Sequence, residues 1–257
     1  MQENQDNKYG EAKIKSPFLE KVENFFYHYK WHTLIALFLV FTVTICSVQM
    51  CQKVSYDAHI LYAGGSNITT SVAEGEEESK YATLHSAIKK FVADRDGDGE
   101  RNLSVLNLFI PSPDELAKME NSEYFTQMVV ENNSTLKEYL YYGEYYICIL
   151  SDRLLSEYTK DKDTNPFAKI AGYLPEGAKI ADEESAEGYR LASEYGVYLK
   201  STPLADNAGF SLLGEDTVIC IRKYSRFGTS SSKEKSMEYY EFCESTLRLM
   251  LADKSYQ

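Results

Sequence analysis

The sequence lacks any C-x-x-C pair, and its five cysteines are scattered over 257 residues. That spacing excludes a disulfide scaffold and a paired-cysteine zinc site. H-E-x-x-H, G-x-S-x-G and a phosphate-binding loop are also missing, which removes the commonest hydrolase and nucleotide signatures. Histidine is scarce, with four in the chain, and beyond residue 52 only His59 and His85 remain. Basic charge is in short supply as well. Lys and Arg number 27 against 39 Asp and Glu, and residues 53–257 carry the whole net charge of −12. An acidic surface of this kind repels phosphate backbones, so nucleic-acid binding is not expected.

What the chain does have is one long stretch without charge. Trp31–Gln52 holds no Asp, Glu, Lys or Arg over 22 residues. As a helix it reaches roughly 30 Å, the thickness of a bilayer's hydrocarbon core. Lys13, Lys15, Lys21 and Lys30 precede it, and only Lys53 follows closely. Basic residues stay on the cytoplasmic side, so residues 1–30 are expected inside and residues 53–257 outside the cell membrane. Phe25, Phe26, Tyr27, Tyr29 and Trp31 crowd the inner boundary, where amphipathic rings anchor a span. Residues 1–16 are polar and expected to be disordered. Pro17–Lys30 has Phe18, Val22, Phe25, Phe26 and Tyr29 at helical spacing, as in an interfacial helix.

Residues 53–257 suffice for one substantial core. Apolar runs predict strands at Asp57–Ala63, Leu103–Ile110, Tyr145–Leu150, Val197–Ser201 and Thr217–Arg222. Amphipathic spacing predicts helices at Lys80–Ala93 and Ser236–Ala252. Ser112-Pro113-Asp114-Glu115 opens a helix with a capping box, running to about Glu131. Thr135 and Glu138 suggest a second box, for a helix stopped by Gly143, and Ser151 starts another through Tyr158. Glu74–Glu78 reads as an acidic linker and Gly228–Ser232 as a loop. Wholly apolar strands separated by helices predict a layered α/β domain with a mostly parallel sheet. Cys148, Cys220 and Cys243 fall in apolar positions and read as buried thiols.

One short motif has a chemical rationale. Asp94, Asp96 and Asp98 occupy positions one, three and five of a calcium loop, with Gly99 at position six. The Glu100 carbonyl and Asn102 supply further oxygens, which makes Ca²⁺ the expected ion. Position twelve is Val105 rather than Glu, and a strand follows, so this is not an EF-hand. Gly64-Gly65-Ser66-Asn67 ends the first predicted strand, where open α/β sheets bind ligands.

The segment LKEYLYYGEYYICILSDRLLSEY, from Leu136 to Tyr158, resembles part of type 2 extracellular solute-binding proteins of transporters. GVYLKSTPLADNAGF is similar to their hinge-side strand leading to the ligand cleft, and DTVICIRKYS to the next strand of that lobe. FFYHYKWHTLI, one span and D-x-D-G-D-G together resemble single-pass membrane proteins of Gram-positive bacteria. The resemblance implies a periplasmic-binding-protein-like lobe on an anchor: a non-catalytic binding module with a transporter or envelope protein as partner. A structural or assembly component of the envelope is the alternative. An envelope hydrolase using carboxylates or a metal is the third.

Overall fold

A computed structural model describes residues 17–51, 55–72, 77–120, 122–181, 188–225 and 232–256. The expected disorder of the tail, most of the Glu74–Glu78 linker and most of the Gly228–Ser232 loop lie outside these residues. The chain divides into two compact units, residues 1–54 and 55–257.

The first unit is one helix, α1 (Pro17–Cys51). Interfacial segment and predicted span are therefore continuous. Within α1, Tyr27–Val48 is long and apolar enough to cross a membrane, and none of its apolar window is buried against protein. The hydroxyls of Thr42, Thr44 and Ser47 each donate to the carbonyl four residues back, at 2.8 Å. These bonds satisfy groups that hydrocarbon could not solvate.

In the second unit seven strands form one sheet: β1 (Ala58–Gly64), β2 (Leu103–Phe109), β3 (Ile147–Ser151), β4 (Ile180–Ala181), β5 (Tyr189–Ser193), β6 (Gly196–Tyr198) and β7 (Thr217–Ile221). Their order is β2-β1-β3-β7-β6-β5-β4. The helices are α2 (Lys80–Lys89), α3 (Pro113–Ala117), α4 (Ser122–Tyr142), α5 (Asp152–Thr159) and α6 (Lys233–Leu251).

The α/β class is as expected, but the sheet is mixed rather than mostly parallel. β1 pairs in parallel with β2 and β3, and β4 with β5. The β3–β7, β7–β6 and β6–β5 pairs are antiparallel. A parallel step needs a crossover, usually helical. α2 and α4 supply two of these, whereas only residues 194–195 separate β5 from β6. Residues 199–201, expected in a strand, instead form a 3₁₀ turn that begins the return to β7.

Side chains alternate across the sheet with period two. Ile60 and Tyr62 of β1, with Ile219 and Ile221 of β7, pack against α2 and α6. Leu61 and Ala63, with Cys148, Leu150, Val218 and Cys220, pack against α4 and α5. Cys148, Cys220 and Cys243 are buried free thiols, and burial raises the Cys220 thiol far above its ordinary range.

Ser112 and Glu115 make the predicted reciprocal cap. The helix it opens is short, however, and α4 then runs through Thr135 without a break. The Thr135 hydroxyl donates to the Glu131 carbonyl at 3.0 Å, a bond inside one helix rather than a cap of a new one. Gly143 does end α4, with its N–H on the Tyr139 carbonyl at 3.1 Å.

Edge strand β2 is covered by side chains. His85 Nε2 bonds the Leu103 carbonyl at 3.0 Å, the Tyr81 hydroxyl donates to that of Val105 at 3.3 Å, and Asn132 Nδ2 to that of Phe109 at 2.9 Å. These bonds occupy acceptors that would otherwise recruit another strand.

Candidate functional site

β1 leads to α2 on one face, and β3 leads to α5 on the other. In open α/β sheets, chains leaving adjacent strands in opposite directions mark the position, a crevice beyond the strands' carboxyl ends, where ligands are taken. The Gly64–Asn67 segment predicted from sequence lies here. A side chain on Gly65 would come within 3.0 Å of the Glu115 carboxylate. A Cβ on Gly214 would lie 2.7 Å from Asp216 Oδ1 and 3.8 Å from Ser66 Oγ. The Ser66 N–H donates to the Tyr62 hydroxyl at 3.1 Å. Asn67 is exposed, so the structure brings Gly64, Gly65 and Ser66 to the crevice without it.

The other wall comes from β3 and α5. Ser151 is the N-cap of α5, yet its side chain makes no cap bond, and its buried hydroxyl has no partner among the described residues. The Asp152 N–H donates to the Asp216 carbonyl at 2.8 Å, and the Tyr198 hydroxyl to the Asp152 carboxylate at 2.6 Å. The Arg190 guanidinium lies 4.1 Å over the Tyr198 ring. Burial, reinforced by the bond to Asp152, pushes the Tyr198 phenol up to about 12.

Two carboxylates of the crevice are driven in opposite directions. Bonding to the Ser112 N–H holds Glu115 below its usual range. Partial desolvation by its neighbours holds Asp216 above its own although the residue is exposed, with the charges of Glu115 and Asp152 adding to the effect. A carboxyl group whose folded pKa is raised destabilises the fold above the unfolded pKa, and the cost fades as pH falls through it. Asp216→Asn is therefore expected to raise the melting temperature at pH 7, with the gain vanishing near pH 3. Thermal melts at the two pH values check this. Arg153 lies close enough to act on both carboxylates and Arg190 covers Tyr198, so the crevice carries charges of both signs.

The aspartate loop is built differently from its sequence motif. Asp94 accepts the N–H groups of Gly97 and Gly99 at 2.7 and 2.8 Å, and Asp98 that of Glu100 at 2.7 Å. Much of the loop's carboxylate is thus occupied by its own backbone. The ligand atoms that converge, within 4.8 Å of one another, belong to Asp57, Asp94 and Asp96. The carboxylates of Asp98 and Glu100 are not in that set. Asp57 is the residue that sequence reasoning missed. It is buried, and its carboxylate accepts the N–H groups of Arg95 and Asn102, each at 2.7 Å. Its one sequence signal is an Asp directly before an apolar strand.

His85 caps the β2 edge as described, and His59 Nε2 lies 3.3 Å from Glu144 among tyrosine rings. Fold and crevice together define the class: one candidate membrane helix followed by an α/β domain with a seven-stranded mixed sheet. No protein-family model, curated protein or solved structure matches the chain.

Proposed function

We propose that this chain is a membrane-anchored extracytoplasmic binding module, non-catalytic, whose crevice serves a solute or an envelope partner such as a transporter. The observation that carries the reading is Tyr27–Val48, an apolar window with none of its residues buried, joined to a separately compact domain. Leaving such a surface in water is costly, and hydrocarbon removes the cost. The lysines before the window set the direction.

The β2-β1-β3 core, with helices on both faces, supports likeness to one lobe of a type 2 solute-binding protein. The antiparallel β7-β6-β5 extension carries no such support. A calcium ion held by Asp57, Asp94 and Asp96 is an accessory part of the reading. The hydrolase alternative draws on the opposed shifts of Glu115 and Asp216, the pattern of an acid paired with a base.

Expressed with a C-terminal tag, the chain is expected to remain in the membrane pellet after alkaline carbonate. The tag is expected to be cleaved by protease added to intact cells. Release by carbonate, or a protected tag, would overturn the reading.

A further inference from the structure

A second cleft, of about 330 Å³, opens at the opposite end of the central strands. It lies beside the start of β1 and the last turn of α4. Its mainly apolar lining comprises Tyr139, Tyr142 and Tyr145 with His59, Glu138 and Glu144. Tyr139 and Tyr145 stand 4.8 Å apart at 76°, and Tyr145 and His59 stand 5.5 Å apart at 71°. These pairs meet edge to face rather than in a stack, so the cleft is bordered by aromatic rings at several orientations, the side chains to which cations are attracted.

The acceptors of this wall are largely in use. The carbonyls of Tyr139 and Gly143 take Arg222 Nη1 at 2.8 and 2.6 Å. Glu144 is engaged with His59 at 3.3 Å. An ammonium or guanidinium ligand brings several N–H groups, for which the Glu138 carboxylate is the acceptor left over in this wall. A cation without N–H groups needs no acceptor, and gains from ring faces and two nearby carboxylates. Two arginines lie close, and their positive charge is set against Glu138 and Glu144 in the balance at the cleft. Arg222 is buried against the negative end of α4, and Arg95 lies 5.1 Å over the Tyr239 ring. Burial keeps His59 below its ordinary pKa, so it adds no competing charge at pH 7.

We infer that this cleft binds a small quaternary ammonium cation of the choline class, between Tyr139, Tyr142 and Tyr145 and beside Glu138 and Glu144. This site is separate from the crevice and does not depend on it.

Isothermal titration of the full chain in detergent tests the inference, with choline chloride as probe. Saturable binding is expected. The neutral isostere, with carbon in place of the charged nitrogen, should bind about tenfold more weakly or worse, because the ring faces attract charge. Tyr142→Ala combined with Glu138→Gln should weaken choline by a similar factor. Both side chains are exposed on α4, and a thermal melt of the double variant checks that the fold is kept. Phosphatidylcholine vesicles distinguish the source of the cation: competition with free choline assigns it to a lipid headgroup, and lack of competition to a free solute. No heat at millimolar choline, equal binding of the isostere, or a double variant that binds like wild type would each overturn the inference.

Discussion

Asp57→Ala is expected to destabilise residues 55–257 by about 3 kcal/mol, since each hydrogen bond to a charged group contributes roughly 1.5–3 kcal/mol. The buried Asp57 carboxylate ties the aspartate loop to the start of β1 from two sides. Arg95 and Asn102 donate their backbone N–H groups to its two oxygens, at 2.7 Å each. The Asp57 N–H returns a bond to the Asn102 carbonyl at 2.8 Å, and Arg95 Nε donates to the Asp57 carbonyl at 3.2 Å. Alanine leaves the two donors facing an apolar methyl. Asp57→Asn would be little better, because one oxygen becomes an NH₂ pointed at an N–H. Thermal unfolding checks the size of the loss. A drop of roughly 2–4 °C per kcal/mol is expected at this chain length. A variant melting within a degree or two of wild type would show that the loop does not depend on this carboxylate.

The same melts test the ion. A millimolar-affinity site adds about 1.4 kcal/mol at tenfold excess of calcium over its dissociation constant. Wild type is expected to melt higher in calcium than in EDTA, and Asp57→Ala to lose that difference. Equal wild-type melting in both would remove calcium from the reading while leaving Asp57's clamp in place.

Arg222→Ala is expected to cost about as much or more, roughly 3–5 kcal/mol, from a cavity plus unpaired carbonyls. Arg222 is only 1% exposed, and no ion pair among the described residues includes it. Its guanidinium is stabilised by other means. It donates to two carbonyls at the end of α4, and it lies 5.1 Å from the Tyr146 ring centre. The negative helix terminus serves in place of a carboxylate. Burying a charge without a counter-ion is expensive, so a neutral residue of similar volume recovers part of the cost. Arg222→Met should therefore be milder than Arg222→Ala, with both below wild type in urea midpoint. A methionine variant as stable as wild type would mean that the bonds to α4 only offset the cost of burial.

Much of the architecture could be read without coordinates. The charge-free run marks the one helix among the described residues that could cross a membrane, because length and the absence of charge are local properties. Helix caps at Ser112 and Ser151 were legible in position, since a cap depends on its nearest neighbours. Two features were not. Thr135-Leu136-Lys137-Glu138 looks like a helix start, but Leu136 and Leu140 are buried in the core, and packing carries α4 straight through. The direction of β7 was equally hidden. Thr217–Ile221 is buried along its whole length, and a strand covered on both faces reads alike in either orientation.

The candidate sites show the same division. Sequence alone determined that glycines end the first strand, that aspartates crowd one loop, and that charge is absent from one helical stretch. Each is a pattern within a few neighbouring residues, governed by backbone geometry and solvation. Only the tertiary structure decided which distant groups meet those patterns. Asp57 is 38 residues from Arg95 along the chain, and Tyr198 is 46 from Asp152, yet each pair is hydrogen-bonded. Strand order and layer packing create those contacts, and no local periodicity encodes which strand will lie beside which.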